Sequence, residues 1–363
     1  MFSLERKLSE FVCNQEMVVQ ARRNLTQDAW DYLMGGAESE MTMRRNRYAL
    51  DAYAFIPRVL RDMSDVDPSS TILGQKVRIP VLLAPIGSMQ VIVEGGSVVP
   101  CRAASQFGTI PMVSSITDPP MEESAASAEC PKIFQLYVRG DFDWVKSILT
   151  RAKKAGFFAL ALTVDSAYYG IRERQLMNRY VPPSVKVQKD RNLQSAITWD
   201  LMSRIRDEWG GPFILKGISS AEDARMAVEK GIETIYVSNH GGRQLDHSLG
   251  SLDCLVDVVS EVAGRVEVIV DGAILRGTDV VKALALGANA VAIGRLQGWA
   301  MAARGEIGLV RCLELLEREI INVLGLLGVR TLADLDKSYV RKAEVIGPTH
   351  ELSTFYHLSN RLT

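Results

Sequence analysis

From Arg78 onward the chain repeats one pattern: a short apolar, β-branched run, a longer stretch of helical period, then another run. Alternation of this kind makes βα units, and βα units make a parallel sheet covered by helices. The runs fall at Val81–Ile86, Pro111–Ile116, Lys132–Tyr137, Phe158–Asp165, Phe213–Gly217, Thr234–Asn239, Glu267–Gly272 and Ala290–Arg295. Eight strands, each followed by a helix, predict an α/β fold of the TIM type, a closed (β/α)8 barrel. Helices are expected at Asp141–Ala155, Ser220–Lys230, Leu252–Val262 and Thr278–Leu286, with Ser220 and Thr278 as N-caps.

The first 77 residues break this rhythm. They hold a predicted helix, Gln27–Gly35, and a loop-rich stretch with Pro57 and Pro68, which together read as an N-terminal helical and loop cover. Residues 1–77 are therefore taken as cover and 78–363 as barrel with C-terminal helices, one domain overall. Tyr180–Thr198, with Pro182-Pro183 and the polar run Gln188–Asn192, sits after the fourth strand, where barrel enzymes carry lids. Gly308–Leu327 has the apolar spacing of a helix packed on the barrel.

Composition narrows the function. Lys+Arg 42 against Asp+Glu 43 gives a net charge of -1, without the basic excess of a nucleic-acid binder. The five cysteines, Cys13, Cys101, Cys130, Cys254 and Cys312, form no C-x-x-C pair, so neither a disulfide framework nor a metal site is expected, and they read as reduced, buried thiols. Charges at Glu5, Arg6, Lys7 and Glu10 leave no room for a signal peptide. No run approaches the roughly 20 apolar residues of a membrane helix, so no membrane insertion is expected and the cytoplasm is the default compartment.

In a barrel the active site lies at the C-terminal ends of the strands. That filter selects Ser114-Ser115, Gln135 with Tyr137, Thr163 with Asp165, Lys216, Ser238 with His240, Asp271-Gly272 and Gly294-Arg295. The glycines after strands seven and eight, with Arg295 beside them, suit a phosphorylated ligand. The densest segment, Ser238-Asn239-His240-Gly241-Gly242-Arg243-Gln244-Leu245-Asp246, puts a histidine and an arginine in one sharp loop. Arg243 favours an anionic substrate such as a carboxylate. Asp165 would orient His240 as a general base if the barrel brings strands four and six together. Lys216, ending an apolar strand, needs a negative charge to face.

That segment, with Phe134-Gln135-Leu136-Tyr137, Leu162-Thr163-Val164-Asp165, Ile214-Leu215-Lys216-Gly217, Arg276-Gly277-Thr278-Asp279-Val280 and Lys282 to Ala288, resembles the FMN-dependent 2-hydroxy-acid oxidising enzymes. That family includes glycolate oxidase, lactate oxidase, lactate monooxygenase and mandelate dehydrogenase. The resemblance runs from about Asp31 to about Arg311. It implies FMN as cofactor, a small 2-hydroxy acid as substrate, O2 or another electron acceptor, and a homotetramer. His240 would be the base, with Asp165 pairing its protonated ring. Arg172, Arg243, Tyr32 and Tyr137 would hold the substrate, and Lys216 would face the reduced flavin. Pro85, Ile86, Gly87, Ser114, Gln135, Thr163 and Ser238 would line the flavin ring and ribityl chain. Asp271, Gly272, Ala273, Arg276, Gly294 and Arg295 would serve the ribityl and phosphate end.

The chain departs from the family pattern at three places. Leu275 stands where the family has a phosphate-contacting arginine, in Gly272-Ala273-Ile274-Leu275-Arg276-Gly277. Ile116 replaces a frequent aromatic, and Tyr168-Tyr169 precede a short lid, so side-chain preference is open. Gly87 stands where many oxidases have alanine and is more usual in dehydrogenases and monooxygenases. A fused haem module and a membrane-inserted lid are not expected. Two alternatives remain: oxidation of a larger, peptide-derived substrate at the same site, and a non-catalytic FMN-binding homologue.

Overall fold

The computed structural model describes residues 11–186 and 192–358. Eight parallel strands run β1 (Val81–Leu83), β2 (Met112–Ser114), β3 (Ile133–Leu136), β4 (Ala159–Thr163), β5 (Phe213–Ile218), β6 (Thr234–Val237), β7 (Glu267–Val270) and β8 (Ala290–Ile293). Their hydrogen-bonded order is β1-β8-β7-β6-β5-β4-β3-β2, and a parallel bridge between Leu83 and Pro111 closes the ring. All eight predicted strands are present, and seven are shorter at their C-terminal ends than the sequence suggested. Beyond these ends stand polar residues and glycines such as Asp165, Ser238-Asn239, Asp271-Gly272 and Gly294-Arg295, where the backbone has left the ladder to form the loops of the rim.

Three helices precede the barrel: α1 (Asn14–Asn24), α2 (Gln27–Met34) and α3 (Met41–Asp51). Only α2 was foreseen. The inward face of α3 buries Thr42, Asn46 and Arg47 beside Met43 and Leu50, so its apolar period is masked by polar residues. The helices that follow the strands are α4 (Val98–Phe107), α5 (Met121–Ala126), α6 (Phe142–Lys154), α7 (Trp199–Trp209), α8 (Ala221–Glu229), α9 (Ser251–Val262), α10 (Gly277–Ala285) and α11 (Arg295–Leu327). In α6 the buried residues Val145, Ile148, Leu149 and Ala152 keep the spacing of one helical face, and the Asp141 side chain accepts from Trp144 N at the N-cap.

Ser220 caps α8 as expected. Thr278 does not cap α10: the N-cap is Arg276, because the Asp279 carboxylate accepts from the backbone N–H groups of Leu275 (3.0 Å) and Arg276 (3.1 Å). Helix α11 starts well before Gly308 and breaks at Arg304-Gly305. Its first part buries Leu296, Gln297, Gly298, Trp299, Ala300 and Met301, so it lacks the polar face that periodicity needs.

Leu82, Met112, Ile133, Ile214, Tyr236 and Ile269 fill the barrel interior, and alanines at 159, 161, 290 and 292 make room for them. A hairpin, Ser70–Ile72 with Gln75–Val77, plugs the barrel by burying Ile72 and Val77 in that same cluster. Each such burial stabilises by about 1.5–3 kcal/mol. Between Tyr180 and Thr198 the described residues form two short helices, Pro183–Lys186 and Asn192–Ser195, and the polar run Gln188–Asn192 lies mostly outside the described residues. Buried Gln194 pins the segment to the barrel, accepting from Val138 N (2.8 Å) and donating to Thr163 O (2.7 Å). All five cysteines are free, but Cys13 and Cys130 are only half-buried. Among the described residues no helix is long and apolar enough to cross a membrane.

Candidate active site

A cleft of about 1270 Å³, counting its open mouth, lies over the C-terminal ends of the strands. At one end stand His240, Tyr137, Arg172, Arg243 and Tyr32. Asp165 follows β4 and His240 follows β6, with β5 between them. The register places Thr163 opposite Lys216 and Lys216 opposite Tyr236, then slips between Lys216 and Ile218. Gly217 sits in that slip with φ +110°, and a Cβ on it would stand 2.7 Å from Asp165 Cβ. The bare backbone lets Asp165 reach across β5.

Asp165 meets His240 Nδ1 at 3.0 and 3.1 Å. This contact puts the proton on Nδ1 and leaves the Nε2 lone pair toward the cleft, 3.1 Å from the Tyr137 hydroxyl. His240 itself has φ +59°, a strained value for a side chain of its size, and Gly241 and Gly242 continue the left-handed turn. A Cβ on Gly242 would meet Met43 N at 2.6 Å, so the loop closes on α3 only with glycine there. Behind Asp165, Ser166 Oγ donates to its Oδ1 (2.9 Å), and Gln244 donates to Ser166 (2.6 Å).

Burial raises the Asp165 carboxyl, but the His240 ring and Lys216 outweigh it and hold it at about 2. Burial lowers His240 below the ordinary imidazole value; Asp165 counters this in part, while Lys216 and Arg172 add to it. At neutral pH the ring is therefore a free base beside a carboxylate. Burial lowers Arg172 and Arg243, and Arg172 lowers Arg243 further. Arg243 donates to Tyr32 O (2.7 Å) and Gly35 O (2.8 Å) and lies over the Tyr32 ring, whose hydroxyl donates to Gly87 O (2.6 Å). Two half-buried guanidiniums side by side are short of negative charge, the condition a substrate carboxylate relieves.

The rest of the cleft is lined by the expected Pro85, Ile86, Gly87, Lys216, Asp271, Gly272, Ala273, Gly294 and Arg295. Ser114, Gln135, Thr163 and Ser238 do not line it. The first three form a buried chain, Ser114 Oγ to Gln135 Oε1 (2.7 Å) and Gln135 Nε2 to Thr163 Oγ1 (2.8 Å). Ser238 Oγ accepts from Lys216 Nζ (3.3 Å) and from His240 N (3.0 Å). Arg276 is turned away: its Nε donates to Thr354 O, its Nη1 meets Glu319 at 3.3 Å, and it lies over the Phe355 ring. A partner segment near the C-terminus thus captures the arginine, which its sequence neighbours could not reveal.

Several lining residues escaped the sequence reading as site residues: Met43 and Asn46 on α3, Trp299 on α11 and Glu351. They reach the cleft from helix faces and from the C-terminal segment, outside the strand-end filter. Trp299 is 1% exposed and packs with the core. Arg47, also fully buried, grips Asp279 through two bonds (2.8 and 2.9 Å) and Ala273 O (3.2 Å), bracing the loop after β7. Among the described residues no group of His, Cys, Asp or Glu side chains could hold a metal.

The cofactor end suits FMN. Asp271 Oδ2 accepts from the Tyr236 hydroxyl (3.0 Å), while its buried Oδ1 has no partner and wants a donor such as a ribityl hydroxyl. The first turn of α11 lacks a side-chain cap, which leaves helix N–H groups for a phosphate.

The sequence model of FMN-dependent dehydrogenases matches residues 21–342, so the chain belongs to that family. It is 37% identical to glycolate oxidase 1 of Oryza sativa subsp. indica over 342 residues, covering 88% of this chain and 93% of the relative. It is 36% identical to an L-lactate oxidase of Nostoc sp., over 88% and 95% of the two chains. Among solved structures it is similar to mandelate oxidase with 3,3-difluoro-2-hydroxy-3-phenylpropionic acid (TM-score 0.86, 35% identity, 93% of this chain and all of the other). It also resembles a soluble mutant of the membrane-associated (S)-mandelate dehydrogenase from Pseudomonas putida (TM-score 0.87, 30% identity, 92% and 100% coverage).

Proposed function

We propose that this protein uses FMN to oxidise an (S)-2-hydroxy acid to the 2-keto acid. The observation that carries this is His240, free-base, oriented by Asp165 at 3.0 Å and facing a cleft with two half-buried guanidiniums. Arg172 and Arg243 bind the substrate carboxylate; Tyr137 turns its hydroxyl from His240 to the substrate, and Tyr32, whose hydroxyl donates to Gly87 O, flanks them. In becoming the keto acid the substrate gives up two electrons and two protons: His240 Nε2 takes one proton, and the other would pass with the electron pair to bound FMN. Asp165, already ionised, stabilises the imidazolium that results. Bound FMN supplies the two-electron acceptor. Lys216, buried and bonded to Ser238, is the fixed positive charge beside it. Pro85, Ile86, Gly87 and the backbone of Gly272, Ala273 and Gly294 wall the cofactor, with Asp271 toward the ribityl chain and Arg295 toward the phosphate. Ser114, Gln135 and Thr163 brace that wall from behind.

Ile86, Ile116, Tyr169 and Val185 give the substrate end an apolar face, which supports a small or medium side chain. Tyr32 reaches the cleft from α2, so residues 1–77 and the barrel act as one catalytic unit. The acceptor is O2 or another carrier, and the lack of a methyl on Gly87 favours the other carrier. Free cysteines agree with the cytoplasm. A homotetramer is carried over from the resemblance, with light scattering as its check.

The test is anaerobic addition of glycolate, lactate, mandelate and longer 2-hydroxy acids to the yellow holoprotein. Bleaching of the flavin band by one of them is the expected result, and the rate of recolouring in air identifies the acceptor. A bound flavin that none of them bleaches overturns the small hydroxy-acid reading and favours the larger substrate.

A further inference from the structure

The phosphate end of the cleft is short of donors. Leu275, 3% exposed, lines it where the family pattern has an arginine. Arg276, next in sequence, is bonded to Thr354 and Glu319. Arg295 remains, but its Nε, Nη1 and Nη2 already donate to the carbonyls of Met34 (3.0 Å), Gly241 (2.8 Å) and Gly35 (3.1 Å). Five N–H groups on a guanidinium leave two for a ligand.

One buried donor in the cleft has no partner: Trp299 Nε1, on a side chain only 1% exposed. Leaving such a group unmet costs about 1–3 kcal/mol, so native proteins keep it for a purpose or a ligand. Trp299 lies four residues after Arg295 on α11, on the same helix face. Helical side chains lean toward the N-terminus, which carries the indole over the turn that holds Arg295. That turn is the one without a side-chain cap. The two orphans of the cleft have opposite needs: Asp271 Oδ1 is an acceptor and suits ribityl hydroxyls, whereas Trp299 Nε1 can only donate and suits a phosphate.

From these observations the structure assigns Trp299 as a cofactor-binding residue, its indole N–H donating to the 5′-phosphate of FMN in place of the arginine lost at Leu275. The assignment rests on the FMN reading above and concerns binding alone.

The experiment compares FMN with riboflavin, which lacks the phosphate, by titrating apoprotein and following flavin fluorescence. For the unaltered chain FMN binds more tightly than riboflavin. Trp299→Phe keeps an aromatic ring of similar shape and removes the N–H. It weakens FMN by about tenfold or more, the worth of a bond to a charged acceptor, and leaves riboflavin unchanged. Leu275→Arg in the Trp299→Phe background restores the preference for FMN, which also checks that the single variant is folded. Equal weakening of both ligands, or no change in either, overturns the assignment and leaves Trp299 a packing residue. Failure of the unaltered chain to bind either flavin would instead sink the FMN reading.

Discussion

The two ends of the cleft are built to different standards. At the hydroxy-acid end the reacting polar groups are partnered and opposed: His240 by Asp165 and Tyr137, Asp165 by Ser166, Arg243 by the carbonyls of Tyr32 and Gly35. At the cofactor end one arginine is a leucine, another has turned outward, and Asp271 Oδ1 on the ribityl side and Trp299 Nε1 on the phosphate side have no partners. Chemistry fixes the first end, because a base, its orienting carboxylate and a carboxylate clamp tolerate displacements of only a few tenths of an ångström. Holding a dianion is less exacting. Any set of donors with the right total charge will serve, so that end can be rebuilt from other residues.

If the ends are separable, the largest effect comes from the base alone. His240→Ala lowers kcat by about 10²–10⁴-fold, the usual worth of a general base, while the visible spectrum shows full FMN content. Loss of flavin from this variant would show that the ends are one unit. Next in size, Arg172→Met or Arg243→Met lowers kcat/KM for the hydroxy acid about 10–150-fold, from about 1.5–3 kcal/mol of charged bonding. Steady-state kinetics with unchanged flavin loading is the measurement. An unaltered kcat/KM in both would remove the carboxylate clamp.

A smaller effect concerns pH. His240 must be unprotonated to act, and burial holds it below the ordinary imidazole value. The acidic limb of kcat/KM therefore lies below pH 6.5, with full activity above it. Asp165 favours the protonated ring. Asp165→Asn thus moves the limb to lower pH while kcat drops, since the imidazolium formed in the reaction loses its counter-charge. A limb displaced upward would contradict the pairing.

The same contrast explains what the sequence could reveal. The barrel was legible because apolar runs and helical stretches alternate with little interruption, and strand ends then pointed to His240, Asp165, Lys216, Asp271 and Arg295. The register of β5 confirmed that two strand-end residues separated by a strand can touch, which no spacing in the chain states. Helix α3 was hidden because its buried face carries Asn46 and Arg47, and the start of α11 because it is covered on every side. Arg276 was misplaced for a different reason. Its partners Thr354 and Phe355 lie 78 and 79 residues further along, and only the fold brings them near.

The smallest effect tests how closely charge is balanced at the rebuilt end. Glu351 comes from the C-terminal segment and lines the cleft, with Oε1 3.8 Å from Arg174. Burial lowers Arg295 to about 10, and Glu40 and Glu351 partly oppose this. A phosphate dianion beside Arg295 is repelled by Glu351. Glu351→Gln removes that repulsion and lets Arg295 fall slightly further, yet a group near 10 stays protonated at pH 7. The first consequence prevails, and FMN binds up to about fivefold more tightly, an advantage that shrinks with added salt because the carboxylate is partly exposed. Weaker binding of FMN by this variant would mean that Glu351 acts chiefly by positioning Arg174 and Arg295, and the phosphate end would then be as closely fitted as the catalytic one.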